Sequence, residues 1–252
     1  MTTFSTFFTG TWDEAKNRKS SAGITAWSYS RLAKWQECPR SAYYAYVEKR
    51  GTGEKSEALL RGIAAHDECA AIYNGVEWKG ESLLSREWQG RLAAQRTLWE
   101  GDLEAELQVA YTSGWKRRKW FDKDVAFRCA FDGFAYSGES VTIYEHKTGR
   151  PRATHKDQAE LYACVATLLV PEASAVQVTI QYLDLPVDRS PTRYDLTSAE
   201  LMFGHAGKPL INKWIAEANR MMADRDYPMR AGPQCRWCNF RGEVGGPCAI
   251  FS

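Results

Sequence analysis

Two neighbouring strand-like segments, each carrying an acidic residue, constrain this chain most strongly. Residues 125–136 and 141–147 have the alternating side-chain pattern of strands, and they contain Asp132 and Glu145. Because side chains alternate across a strand, Lys147 shares a face with Glu145. Two carboxylates and an amine on one face can hold a divalent cation beside a phosphate. The pattern therefore predicts metal-dependent phosphodiester cleavage.

The order of the other predicted elements favours an α/β fold. The first predicted elements are helices: one capped by Ser28 or Ser30, a second stretch after Pro39, and two more over 58–73 and 81–100. A strand over 103–109 follows, then the acidic strand pair with a turn at Gly138 and a helix over 155–169. The last elements are strands over 176–180 and 192–196 and a helix from a Thr197–Glu200 capping box to about Asp224. We expect a mixed sheet core with flanking helices and a helical entry.

Bulk properties exclude several classes of protein. The 252 residues carry a net charge of only +2, so nucleic-acid binding would have to come from local basic patches. No apolar run of about 18 residues and no basic-then-apolar leader is present, which predicts a cytosolic protein. In that compartment the seven cysteines are expected to be metal ligands or core thiols rather than disulfides.

Four cysteines form a second candidate site. Cys235 and Cys238 have the C-x-x-C spacing, Cys248 follows in the tail, and Cys38 lies far upstream beside Pro39. Four thiolates suit Zn²⁺ or a [4Fe–4S] cluster equally in chemistry. Either would fasten the entry helix to the Cys-rich tail. The remaining three lie among apolar neighbours and are predicted to be core thiols: Cys69, Cys129 and Cys164.

Further polar residues are candidates, although each one alone also fits an ordinary structural role. His66 is typical of a helix surface or of a hydrogen-bonded core imidazole. Gln158 and Tyr162 are four residues apart and share a helix face, where they could contact a phosphate or a base edge. Glu104 and Glu106 share a strand face, and we prefer Glu106 as a further acidic group.

A basic segment lies between two predicted strands and is flanked by Trp115 and Trp120. Cations and aromatic rings at a hairpin tip could bind a phosphate backbone and stack on a base. A solvated turn would have the same composition. The predicted DNA-binding residues are Lys116, Arg117, Arg118 and Lys119.

Taken together, these residues resemble the RecB-like branch of the PD-(D/E)XK nuclease superfamily, in the subgroup with an iron–sulfur staple. That subgroup includes stand-alone phage exonucleases and CRISPR-adaptation nucleases. The resemblance rests on seven elements in order: Ser28-Tyr-Ser-Arg-Leu32, Cys38-Pro-Arg, Gly62 with His66, Phe131-Asp132-Gly133, Glu145-His-Lys147-Thr-Gly149, Gln158 with Tyr162, and the Cys-rich end.

The resemblance implies a restriction-endonuclease-like fold and assigns roles to residues. His66, Asp132 and Glu145 would bind Mg²⁺ or Mn²⁺, and Lys147 would be catalytic. Gln158 and Tyr162 would support substrate binding. The resemblance also implies a [4Fe–4S] cluster on four thiolates, namely Cys38, Cys235, Cys238 and Cys248. We expect an N-terminal arm over residues 1–24 and a single nuclease domain over 25–252.

The function expected from these observations is a Mg²⁺- or Mn²⁺-dependent DNA exonuclease of recombination, repair or phage DNA processing, located in the cytoplasm of a bacterial or phage-infected cell. Its partners would be linear DNA, its ends or single strands, together with recombination or replication proteins. An alternative is a non-catalytic DNA-end or single-strand binding protein with the same metal-stapled fold, and a third is a ribonuclease. Cleavage polarity and oligomeric state stay open.

Overall fold

A computed structural model of the chain describes residues 23–51, 56–100, 102–197 and 210–249. It contains six α-helices within these ranges: α1 (Tyr29–Glu37), α2 (Pro39–Tyr46), α3 (Glu57–Asn74), α4 (Arg86–Leu98), α5 (Thr154–Leu169) and α6 (Ile211–Ala223). Two short 3-10 segments follow in the tail, Pro233–Trp237 and Gly242–Val244. The described helices lack the combination of length and apolarity that a membrane crossing requires.

Six strands form one mixed sheet in the order β2-β1-β3-β4-β5-β6. Their bounds are β1 (Glu104–Tyr111), β2 (Arg117–Arg118), β3 (Phe127–Ser137), β4 (Ser140–Lys147), β5 (Ala175–Tyr182) and β6 (Thr192–Thr197). Strands β4 and β5 are parallel and are connected through α5, whereas β3 with β4 and β5 with β6 are antiparallel. The predicted α/β fold with a mixed sheet is confirmed.

The predicted helix over 81–100 was too long at its start. Helix α4 begins at Arg86, where the Ser85 side chain accepts a hydrogen bond from the backbone of Trp88. The preceding segment is held as a loop because the buried Glu68 carboxylate accepts hydrogen bonds from Ser82 Oγ at 2.6 Å and from Leu83 N at 2.8 Å. Tertiary hydrogen bonds of this kind are invisible to local helix propensity.

Other predicted segments fall partly outside the described residues. The Thr197–Glu200 capping box and the break at Gly207–Pro209 lie in this category, and the structure begins the last helix at Ile211. Of the predicted arm, only residues 23 and 24 are described, and Ile24 is buried, with its backbone N–H donated to the Tyr227 hydroxyl.

The described residues divide into two compact units. The described residues of the first are 56–100, 102–109, 129–197 and 210–212. Its core joins residues of α3 and α4 to residues of the sheet, including Cys69, Trp88, Leu92 and Tyr144. The second contains residues 23–51, Ala110–Arg128 and 213–249. The single-domain prediction for 25–252 stays a prediction.

The second unit joins its N-terminal helices to its C-terminal segment. Trp27 is buried against Phe127 with ring centroids 4.4 Å apart, and Trp35 donates its indole N–H to Asp224 at 2.8 Å. The buried Tyr227 packs against the Tyr43 ring at 4.9 Å. Aromatic packing therefore holds together segments that are far apart in the sequence.

The structure resolves which serine caps α1. The Ser28 side chain accepts a hydrogen bond from Arg31 N at 3.3 Å, whereas Ser30 lies inside the helix. We predict that Ser28→Ala lowers the free energy of unfolding by about 1 kcal/mol, because a helix-terminal N–H loses its acceptor. Ser30→Ala is the matched control and should cost less. Urea unfolding curves of both variants test this, and equal losses would contradict the assignment.

Candidate active site

The Asp132 carboxylate joins three elements of the first unit. It lies on β3, and its Oδ2 accepts the backbone N–H of His146, on β4, at 2.6 Å. Its Oδ1 lies 3.2 Å from Nδ1 of His66, which is carried by α3. Backbone pairing of β3 with β4 extends from Ser137 to Gly133. The Asp132 side chain thus accepts a hydrogen bond from the backbone N–H of His146, just beyond the last paired residues of the two strands.

Three candidate ligands converge at this point. One ligand atom each from His66, Glu106 and Asp132 lie within 4.8 Å of one another, the sole such group of three in the described ranges. Glu106 reaches this position from β1 with a backbone φ of +52°. A left-handed residue interrupts regular strand geometry and re-aims its side chain. The structure therefore brings together two predicted ligands and the acidic group that was preferred over Glu104.

A second polar group surrounds Glu145. Its Oε1 accepts hydrogen bonds from Lys147 Nζ at 2.5 Å and from Gln158 Nε2 at 2.7 Å. Gln158 Nε2 also lies 2.9 Å from the Tyr162 hydroxyl, which accepts its second bond. The sequence had placed Glu145 and Lys147 on one strand face and Gln158 and Tyr162 on one helix face. In the structure these four side chains form one hydrogen-bonded chain.

The charges of these groups are fixed by burial and by one another. Burial alone would raise the pKa of Asp132, but the hydrogen bond and charge of His66 hold that pKa below its usual value. Burial raises the pKa of Glu145, and the Asp132 charge adds to the rise. Burial would lower the pKa of Lys147, yet the neighbouring Glu145 carboxylate raises it. Asp132 is therefore ionised and Lys147 is an ammonium at neutral pH.

A layer of residues behind Asp132 was not predicted as part of the site. His146 is 0% exposed, and its Nε2 lies 3.2 Å from the Tyr73 hydroxyl, which donates to Gln95 at 2.8 Å. Gly133 makes room for this layer, since a Cβ there would stand 2.9 Å from the Tyr73 ring. The glycine after Asp132 was the only signal of this packing in the sequence.

The donor set fits a hard divalent cation. Carboxylate oxygens and a neutral imidazole are ligands that Mg²⁺ and Mn²⁺ accept, and the imidazole somewhat favours Mn²⁺. Burial would lower the pKa of His66, but the Asp132 carboxylate contributes to raising that pKa to about 9, so a metal that binds here displaces the His66 proton. Glu145 Oε2 is a buried oxygen that has no hydrogen-bond partner in the described part of the chain. A buried carboxylate oxygen in that condition is costly unless a cation or a donor satisfies it. His66, Glu106 and Asp132 are therefore placed to hold a metal together, and Glu145 offers a further unsatisfied carboxylate oxygen.

The comparison with family models decides the family. The model of the PD-(D/E)XK nuclease superfamily matches residues 26–242, which is most of the chain. The chain belongs to the PD-(D/E)XK nuclease superfamily. Glu145-His146-Lys147 has the form of the (D/E)XK part of that name. Among curated proteins, no sequence matches the chain.

Solved structures resemble this superfamily member at low identity. The protein SSO0001 is 18% identical with a TM-score of 0.45, and the match covers 88% of this chain and 86% of that one. A Eubacterium rectale protein provisionally named an exonuclease is 13% identical with a TM-score of 0.45, and the match covers 94% of this chain and 96% of that one. LHK-Exo, solved in complex with dAMP, is 14% identical with a TM-score of 0.40, and the match covers 81% of this chain and 89% of that one. These similarities are too low to transfer a substrate or a residue role.

The four candidate cluster cysteines of this superfamily member all lie in the second unit. Cys38 stands between α1 and α2, Cys235 is buried in a 3-10 segment, and the Cys238 backbone N–H is donated to Cys235 O at 3.2 Å. Cys248 Sγ lies 3.8 Å from Met229 Sδ. All seven cysteines lie in the described ranges and are free thiols, and the predicted core thiols are buried: Cys69, Cys129 and Cys164.

The predicted basic hairpin tip is partly a strand. Arg117 and Arg118 form β2, which pairs antiparallel with the end of β1. Arg118 is bonded to Asp124 at 2.8 Å, and the Arg117 guanidinium lies 5.7 Å from the Tyr111 ring. The remaining members of the predicted DNA-binding set, Lys116 and Lys119, flank the strand and are exposed. Their role in DNA binding stays a prediction.

The pair Glu104 and Glu106 offers a matched test of the metal site. Both are exposed on β1, but only the Glu106 carboxylate belongs to the three-residue group. We predict that Glu106→Gln weakens Mn²⁺ binding at least about 10-fold, because an amide is a poorer ligand for a hard cation. Glu104→Gln should bind Mn²⁺ like wild type.

Mn²⁺ affinity can be measured directly by calorimetry or by electron paramagnetic resonance. An equal effect of both substitutions would remove Glu106 from the ligand set. Unchanged thermal unfolding of the metal-free variants would show that the fold is intact.

Proposed function

We propose that this chain is a Mg²⁺- or Mn²⁺-dependent deoxyribonuclease that degrades DNA from its ends. The observation that carries the proposal is the convergence of His66, Glu106 and Asp132 in the same unit as the Glu145–Lys147 pair. Membership in the nuclease superfamily makes hydrolysis of a phosphodiester the activity to test first.

His66, Glu106 and Asp132, with Glu145 as a further ligand, would hold a divalent cation, and the chemistry that such an ion supplies is neutralisation of phosphate charge and activation of water. The protein side chains have separate tasks. Lys147 is a fixed positive charge on the same strand face as Glu145, suited to stabilise negative charge that builds up on the phosphoryl oxygens. Its ammonium is held by Glu145, so it acts as a charge rather than as a proton acceptor.

Gln158 and Tyr162 act on the orientation of Glu145. Gln158 donates to Glu145 Oε1, and the Tyr162 ring is packed edge-on against Phe131 at 5.1 Å. These contacts hold one oxygen of the carboxylate, Oε1, and leave the buried Oε2 without a hydrogen-bond partner in the described residues. We assign Gln158 and Tyr162 as positioning residues, with substrate contact as the role implied by the resemblance.

The central test compares Asp132→Asn, Lys147→Met and wild type on end-labelled linear DNA with Mn²⁺ or Mg²⁺. We expect each substitution to reduce the cleavage rate at least about 100-fold, because a ligand or a transition-state charge is lost. Leu98→Ala, at an exposed position of α4, is the control with expected wild-type activity. Retained activity in both site variants would sink the site assignment.

Further conditions separate this proposal from its rivals. A covalently closed circle should survive in the same reaction, and its cleavage would indicate an endonuclease. DNA binding without products under all metal conditions would favour the non-catalytic binding protein. Faster loss of an RNA strand of equal sequence would favour a ribonuclease. A 5′ label compared with a 3′ label gives the polarity.

We also propose that Cys38, Cys235, Cys238 and Cys248 hold a [4Fe–4S] cluster that fastens the two ends of the second unit. What supports this is the packing around Cys38. Gln234, next to Cys235, lies 3.5 Å from Glu37 O, and Arg40 N donates to Pro228 O at 3.3 Å. The Tyr44 hydroxyl donates to Pro247 O, next to Cys248, at 3.4 Å. Tail residues that neighbour the cysteines thus already contact the flanks of Cys38.

Four thiolates suit a zinc ion and a [4Fe–4S] cluster equally in chemistry. The resemblance to nucleases with an iron–sulfur staple is the reason that we propose the cluster.

The cysteine assignment has its own test. Anaerobically purified protein should be brown, with absorbance near 400 nm (roughly, for thiolate–iron charge transfer). Cys235→Ser should lose this absorbance and lower the thermal unfolding midpoint, because cluster-binding energy is folding energy. Cys164→Ala, a core thiol, should keep the absorbance. A colourless wild-type protein that contains zinc would replace the cluster with the zinc ion.

A further inference from the structure

One turn of the second unit presents an aromatic ring almost completely to solvent. Phe121 follows β2 and is 87% exposed, the highest value among the large hydrophobic side chains of the described residues. Single exposed apolar residues are ordinary on protein surfaces and need no explanation. Phe121 differs because of how the turn holds it and of what surrounds it.

The turn that carries Phe121 is fixed from both sides. Asp122 N donates to Lys119 O at 3.1 Å, and Asp122 Oδ2 accepts the backbone N–H of Lys119 at 3.1 Å. The preceding residue is also held, since Arg128 Nε donates to Trp120 O at 2.8 Å. The Arg128 guanidinium lies 5.8 Å from the Trp120 ring. Trp120 is therefore tied to its own unit, and Phe121 projects from a preorganised loop.

The surrounding charge is strongly positive. Residues 116–124 contain five cations and two carboxylates, which leaves a net charge of +3, more than the +2 of the whole chain. One of the two carboxylates, Asp124, is already paired with Arg118. Three of the cations are exposed lysines: Lys116, Lys119 and Lys123. A partner that fits this surface is a polyanion with flat apolar faces.

We propose that Phe121 stacks on an unpaired base and that, with the surrounding lysines, it forms a binding site for single-stranded DNA. Inside a duplex the base faces are covered by neighbouring bases, so a single ring on a short turn can stack only on an exposed end. In a single strand the faces are open, and stacking tolerates any base because every base has a π-face. Preorganisation keeps the entropic cost of binding low.

This inference adds strand selectivity to the proposed function, although binding can be tested without any cleavage. The whole chain, purified anaerobically so that its proposed cluster is retained, is titrated into a fluorescent single-stranded oligodeoxynucleotide. The buffer contains EDTA, which removes divalent cations and so suppresses hydrolysis of the DNA. A covalently closed circular duplex, which has no ends, and a single-stranded RNA of the same sequence as the DNA strand are run in parallel. A protein without nuclease activity could therefore still bind single-stranded DNA in this test. A protein that fails to bind in this test could still be a nuclease.

We expect Phe121→Ala to weaken single-strand DNA binding about 5- to 150-fold, the range that loss of one base stack produces. Phe121→Trp should restore or improve binding, because a larger ring stacks at least as well. Duplex binding should change much less. The matched control is Leu98→Ala, which removes a side chain that is 71% exposed and lies outside the basic turn.

Two readouts distinguish stacking from simple charge. Phe121→Ala should leave the slope of log K against log salt unchanged, whereas Lys119→Ala should reduce it by about 0.7. Fluorescence of 2-aminopurine in the strand should be quenched by wild type and by Phe121→Trp but not by Phe121→Ala. Wild-type affinity in Phe121→Ala, equal losses for single strand and duplex, or tighter binding of RNA than of DNA would each overturn the proposal.

Discussion

The buried Asp132 carboxylate is the interaction on which the candidate site depends. A buried charge is tolerated only when partners surround it, and Asp132 has two, the His146 amide on β4 and the His66 ring on α3. The partners fix where α3 stands relative to β3 and β4 and so place His66. Glu145 lies one residue before the amide that Asp132 binds. The hydrogen bonds of Asp132 to His146 and His66 therefore stabilise the packing of α3 on the sheet and also position the candidate metal ligands.

Much of this site follows from local rules that a sequence reveals. The period of two along β4 places Glu145 and Lys147 together and sends His146 to the opposite, buried face. The four-residue spacing of Gln158 and Tyr162 places both on one face of α5. The Gly138 turn and a serine cap of α1 were likewise predicted from local chemistry, although Ser28 and Ser30 were both candidates for that cap. Such features depend on residues that are close in the sequence.

What the sequence could not reveal depends on contacts between distant segments. Glu104 and Glu106 are equivalent by alternation, and a backbone interruption at Glu106 distinguishes them. The His146–Tyr73–Gln95 layer joins β4, α3 and α4, and only Gly133 indicates it in the sequence. The start of α4 was misplaced because Glu68 holds the preceding loop from another helix. The exposed Phe121 was also missed, since a hydrophobic residue in a sequence carries no sign of its exposure.

The left-handed backbone conformation of Glu106 destabilises the folded protein. A glutamate in that conformation costs about 1–2 kcal/mol relative to ordinary strand geometry, and glycine would relieve most of the cost. Selection for thermal stability alone would therefore favour replacing Glu106, and with it would go a candidate ligand. Laboratory evolution of a hardier enzyme would have to screen for activity at every round, because at this position the two goals pull apart.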